Sequence, residues 1–95
     1  VRTVWKYVLG DDMDRALNVT LSAPRIVFVG LDPASDRPAV WIEHIEDGTA
    51  NVAVALTAIG TGWVTPDHSS HVGSVIQGPF VWHIYARYSR AVGAS

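Results

Sequence analysis

Apolar and polar residues alternate with a period of two along most of this chain, and no long stretch shows the three-to-four spacing of an amphipathic helix. Thr3 to Leu9 puts Trp5, Tyr7 and Leu9 on one face and Val4, Lys6 and Val8 on the other, with the aromatic face expected inside. Gly10 to Asp14 is a turn composition. Arg15 to Leu21 divides between a single helical turn at Arg15-Ala16-Leu17 and a short strand favoured by Asn18-Val19-Thr20-Leu21, of which the strand is preferred. Past Pro24, the run Arg25 to Leu31 is rich in β-branched and aromatic residues and predicts a strand buried on most of both faces, in the middle of the sheet.

The proline-bounded segment Asp32 to Pro38 is a loop. Ala39 to Glu46 resumes the alternation, Asp47-Gly48 turns the chain, and Val52 to Ile59 predicts another strand despite its alanines. Gly60-Thr61-Gly62 ends that run, a polar loop follows from Thr65 to His71, and Gly73, Gly78 and Pro79 punctuate two further strands. In the last one, Phe80, Trp82 and Ile84 face the core while Val81, His83 and Tyr85 face outward. The pattern loosens after Tyr85. These elements predict an all-β fold, a small antiparallel barrel or sandwich of about six to eight strands, as one domain over residues 1–90 with a disordered tail from Ala91 to Ser95.

Composition narrows the partners. Hydrophobic residues make up 48% of the 95 positions and charged residues 17%, below the roughly 25% typical of globular proteins, so a homo-oligomer is expected to cover the apolar surplus. A net charge of −2 argues against nucleic acid, whose backbone is met by a basic surface. The absence of cysteine excludes disulfides, thiolate zinc ligation and a cysteine nucleophile. The first nine residues are broken by Arg2 and Lys6 and are too short for a membrane span, so a cytoplasmic setting with no membrane partner is expected.

Candidate chemistry gathers between Gly60 and Arg87. The Gly60-Thr61-Gly62 segment has two readings, a nest of backbone amides that holds an anion or a sharp strand exit. His68 and His71 stand three apart, which on a helical turn would pair their imidazoles, but no third ligand accompanies them and no metal is expected. Ser69, His71 and Asp67 share one loop and offer no separate elements to fix a nucleophile, base and orienting group. Trp5, Trp41 and Trp82 have core parity, whereas Trp63 follows a glycine in a loop and is free to anchor a ligand or a protein surface.

The combination Val4-Trp5-Lys6-Tyr7, Trp41 with Glu43, Gly60-Thr61-Gly62 with Pro66, Val72-Gly73-Ser74 and Phe80-Val81-Trp82-His83 resembles a family of small uncharacterised proteins encoded by tailed phages and prophages. The pattern covers nearly the whole chain. One position departs from it, since the family's histidine directly after G-T-G is Trp63 here. The resemblance implies phage origin, a setting in the host cytoplasm and an all-β fold, and it carries no established activity.

Together these readings favour a non-catalytic protein without a cofactor that binds a small anionic, nucleotide-like ligand such as a host defence signal. The expected site comprises Gly60, Thr61, Gly62, Trp63, His68, His71, His83, Tyr85 and Arg87. The alternative is an adaptor or inhibitor that binds a host protein, and a histidine-dependent hydrolase is the weakest reading because no complete catalytic constellation assembles.

Overall fold

The computed structural model describes residues 1–9 and 16–90, so the expected turn at Gly10 to Asp14 and the tail from Ala91 lie outside the described residues. Seven strands follow in order: β1 (Arg2–Val8), β2 (Ala16–Leu21), β3 (Arg25–Leu31), β4 (Pro38–Ile45), β5 (Val52–Gly60), β6 (Ser70–Gln77) and β7 (Phe80–Arg90). They form two antiparallel sheets, β1-β4-β3 and β2-β5-β7-β6, and the described residues include no helix. This is the all-β architecture that the alternation predicts, as two open sheets and not a closed barrel. The strand reading of the segment before Leu21 holds, because β2 pairs with β5 from Ala16↔Thr57 to Leu21↔Val52.

The core is built by strand parity. On β5 the inward residues are Val54, Leu56 and Ala58, on β7 Trp82, Ile84 and Ala86, and on β4 Val40 and Ile42, with Leu9, Leu21 and Val75 filling between them. Each fully buried side chain of the size of Leu56, Ile84 or Ile42 contributes about 1.5–3 kcal/mol on removal from water. The sheets approach closely where β3 meets β6: a Cβ on Gly73 would lie 2.9 Å from Val29 Cβ, so only glycine lets the layers meet there. β6 and β7 are joined through Gly78-Pro79, where a positive φ of 56° at Gly78 precedes proline's fixed negative φ, the sign pattern of a type II′ hairpin turn.

Three expectations are corrected. β3 is an edge strand, not the middle of a sheet, because β4 takes the position between β1 and β3. An irregularity between Ile26 and Phe28 shifts its register, and Val27 and Phe28 are exposed because no layer covers that outer face. Trp5 has inward parity, yet β1 is also an edge, so the ring is 53% exposed and its indole N–H donates to Thr3 and Glu46. Trp41 lies on the outer face against Phe28, with ring centroids 5.2 Å apart, while Ile42 and the buried His44, paired with the Tyr7 hydroxyl at 3.2 Å, face the core. Of the three tryptophans with core parity, Trp82 is the buried one. The chain also remains in strand through Arg90, since β5 supplies partners from Val52 to Ala55 beyond the point where the alternation loosens.

Polar links fasten the loop after β3 to both sheets. The Trp82 indole N–H donates to Gln77 Oε1 at 2.8 Å, and Gln77 Nε2 donates to the Asp36 carbonyl at 2.6 Å. Asp32 is almost fully buried and accepts from Lys6 Nζ at 2.7 Å, Ser35 Oγ at 2.6 Å and the Ala34 amide at 3.3 Å. The hydrogen bonds from Lys6 and Ser35 lead the causes that hold its carboxyl down at about 2.

A carboxyl whose pKa is lower in the folded state contributes stability that is complete above its unfolded value of about 3.9 and disappears as pH falls through the folded value. Asp32 therefore stabilises the fold at neutral pH and loses that effect between about pH 4 and about pH 2. Urea unfolding of Asp32→Asn is expected to show a lower midpoint than wild type at neutral pH, with the two curves converging toward pH 2. A constant difference across that range would show that the carboxylate charge is not the stabilising feature.

Candidate functional site

The outer face of the β2-β5-β7-β6 sheet carries the polar side chains that the core has no place for. Along β7 the outward positions are Val81, His83, Tyr85 and Arg87, and β5 sets Ile59 opposite His83 and Thr57 opposite Tyr85. On β6, His71 and Ser74 are three apart and would fall on opposite faces of a regular strand. A register shift between His71 and Gly73 inserts one extra residue, so His71 stands opposite Tyr85 and Ser74 opposite His83 on the same face.

A turn delivers the fourth member. The Trp63 N–H donates to the Gly60 carbonyl at 3.1 Å, and Gly62 has φ +91°, the position at which a type II turn requires glycine. The glycines here make a sharp strand exit, and Thr61 projects from it onto the outer face. Thr61 Oγ1 lies 2.9 Å from His83 Nε2, His83 Nδ1 lies 2.9 Å from Ser74 Oγ, and Ser74 Oγ lies 3.0 Å from His71 Nε2. These four side chains from β6, β7 and the turn form one continuous hydrogen-bonded chain. Tyr85 closes against it, its ring centroid 5.5 Å from that of His71 in an edge-on contact.

The surrounding charge is one-sided. None of the four strands of this sheet contains an aspartate or glutamate, although the whole chain has nine, and β7 carries Arg87 and Arg90. Arg87 stands two residues beyond Tyr85 on the outer face, exposed and opposite Ala55. An anion approaching here meets hydroxyls, imidazoles and a guanidinium with no carboxylate on the strands beneath them.

The sheet separates the Trp63 ring from this chain. Gly60 pairs with Trp82 and shares its inward parity, and a Cβ on Gly60 would lie 3.0 Å from Trp63 Cε2, so the Trp63 ring packs on the inner side. There Trp63 meets Trp82 edge-on at 5.6 Å, and Phe80 stacks on Trp82 at 6.1 Å. A cleft of about 350 Å³ at this end of the sheet is lined by Gly60, Thr61, Trp63, Phe80 and Trp82 among others. Thr61 thus belongs to both regions. His68 sits in the loop with φ +56°, exposed, while His71 is on β6, and no group of three or more histidine, cysteine or acidic residues among the described residues is placed to hold a metal. Ser74 escaped the sequence reading because the bulge that turns it toward both histidines leaves no mark in the alternation.

The chain belongs to an uncharacterised family: residues 1–94 match the family described as Domain of unknown function (DUF7352). Comparisons with curated proteins and with solved structures give no match.

Trp63 is 51% exposed, so its packing against Trp82 contributes a fraction of what a core tryptophan does. Trp63→Ala is expected to lower stability by about 1 kcal/mol, the scale of one aromatic pair, while far-UV circular dichroism stays that of wild type. The histidine side-chain NMR signals should be unchanged, since the ring lies across the sheet from them. Global unfolding of the variant would place Trp63 in the core.

Proposed function

We propose that this member of the DUF7352 family is a non-catalytic binding protein whose outer sheet face holds a small anionic, nucleotide-like ligand. The observation that supports this reading most directly is the exposed chain Thr61, His83, Ser74 and His71. Imidazoles and hydroxyls at hydrogen-bonding distance from one another are the groups that bind phosphate oxygens, and Arg87 on the same face adds a fixed positive charge. Tyr85 supplies an aromatic surface beside them for a planar ring.

A serine between two histidines also invites a hydrolase reading. Among the described residues, however, no carboxylate hydrogen-bonds to His71 or His83 to orient an imidazole as a base, and Ser74 lies in a strand and not at a strained elbow. The resemblance to phage and prophage proteins supports a role in sequestering a host defence signal in the host cytoplasm. The exposed Trp63, Val64, Ile76 and Phe80 support the second reading, an adaptor that docks on a host protein or on another copy of the chain.

Heating the purified protein and analysing the supernatant by mass spectrometry is expected to release a phosphate-bearing small molecule. His83→Ala, prepared in the same way, should retain none, because losing hydrogen bonds to a charged group weakens binding by roughly 10- to 100-fold. A clean wild-type supernatant would favour the adaptor.

A further inference from the structure

We infer that the group seated on this face is a dianionic tetrahedral oxyanion, such as a terminal phosphate, and that Thr61, Ser74, His71 and His83 bind it together with protons. The inference rests on the reading of the face as an anion site and adds the ligand's charge and the linkage to pH.

The number of hydrogens shared by these four side chains limits how many of them can face a ligand. The Ser74 hydroxyl has one hydrogen and faces two imidazole nitrogens, at 3.0 Å and 2.9 Å. With both rings neutral, the chain has three arrangements, two of which run in a single direction. In the first, His71 Nε2–H donates to Ser74, Ser74 donates to His83 Nδ1, and His83 Nε2–H donates to Thr61. In the second, Thr61 donates to His83 Nε2, His83 Nδ1–H donates to Ser74, and Ser74 donates to His71. In the third, His71 Nε2–H and His83 Nδ1–H both donate to Ser74 while Thr61 donates to His83 Nε2; in all three at most one of the two hydroxyl hydrogens is free, and these four side chains carry no net charge.

Protonating both rings changes this. His83 then donates through both nitrogens, to Thr61 and to Ser74, and His71 donates to Ser74 as well. No acceptor nitrogen remains. The hydroxyl hydrogens of Ser74 and Thr61 must turn away from the rings, toward solvent or a ligand, so two positive charges and two free donors appear at once. An oxyanion with two negative charges matches that state in number and geometry.

The surroundings favour it. The outer positions of β7 are Val81, Tyr85 and Arg87 beside His83. Those of β5 (Ala53, Ala55, Thr57, Ile59) and β2 (Ala16, Asn18, Thr20) carry no charge, and β6 adds Ile76. Asp67 and His68 lie on the segment between Gly60 and Ser70, and no carboxylate on the strands opposes a bound anion. Because proton and anion favour the same state, each strengthens the binding of the other by the same factor.

The test uses sulfate, which stays dianionic across the pH range of the titration. Sulfate is titrated into the full chain near pH 5.5 and near pH 7.5 while the ring Cε1–H signals of His71 and His83 are followed by NMR. Both rings are expected to respond, with affinity about tenfold or more tighter at the lower pH, and with Ser74→Ala and the monoanion methyl sulfate each binding about tenfold or more weakly. Equal sulfate affinity at the two pH values would overturn the proton linkage and leave the face as an anion site. Methyl sulfate binding as tightly as sulfate would overturn the dianion assignment, and no response of either ring to sulfate at either pH would overturn the anion site itself.

Discussion

The organising constraint is that β7 lies between β5 and β6 and has two faces to satisfy. Its eleven residues pair with β5 from Trp82 to Arg90 and with β6 from Phe80 to Ala86, so its backbone groups are largely fixed by ladders on both sides. Alternation then leaves one decision per residue. Trp82, Ile84 and Ala86 close the core against the second sheet, and His83, Tyr85 and Arg87 stand on the opposite face. Since β5 and β6 both run antiparallel to β7, they run parallel to each other, and the chain must pass β7 to get from one to the other. That passage begins with the Gly60 to Trp63 turn, which sends Thr61 to the histidines and Trp63 to the opposite side.

The second sheet makes the asymmetry possible. It covers the inner face with Val40 and Ile42, and it takes up acidic side chains where they find cations: Asp32 with Lys6, and Glu43 with Arg2 and Arg25. The exposed pairs contribute little to stability, but they keep these carboxylates away from the outer face of β7. A chain with a net charge of −2 thus presents one sheet whose strands hold no acid. On the proposed reading, a small anion bound there meets no carboxylate on the strands beneath it.

The strands, and the two faces of β7 from Trp82 onward, were legible in the sequence because period-two alternation is imposed directly by backbone geometry, whereas Phe80, expected in the core, is exposed where β7 begins. The alternation names His83 and Tyr85 on the outer side of β7 and the glycines mark Thr61, whereas His71, expected at the end of the polar loop, lies on β6. What alternation does not encode is which strand finds two neighbours. For that reason β3 was misplaced in the middle of a sheet, and Trp5, although correctly phased, is exposed on an edge. Trp63 and His83 are expected together because the Gly60 to Gly62 turn brings the loop to the end of the sheet beside the last strand, but the Trp63 ring packs on the inner side and His83 faces outward. Ser74 is not signalled by the alternation because a bulge between His71 and Gly73 reverses the phase of β6 just before it.

On the proposed reading, Thr61, His83, Ser74 and His71 act as one coupled unit and not as four separate surface groups. Side-chain nitrogen NMR reports which ring nitrogen of each histidine carries the proton, and Ser74→Ala removes the link between the rings without touching the core. The account predicts that this substitution shifts the tautomer balance of both His71 and His83 together. If the nitrogen signals of both rings are the same in Ser74→Ala as in wild type, the chain does not exist as a unit and the site built on it falls.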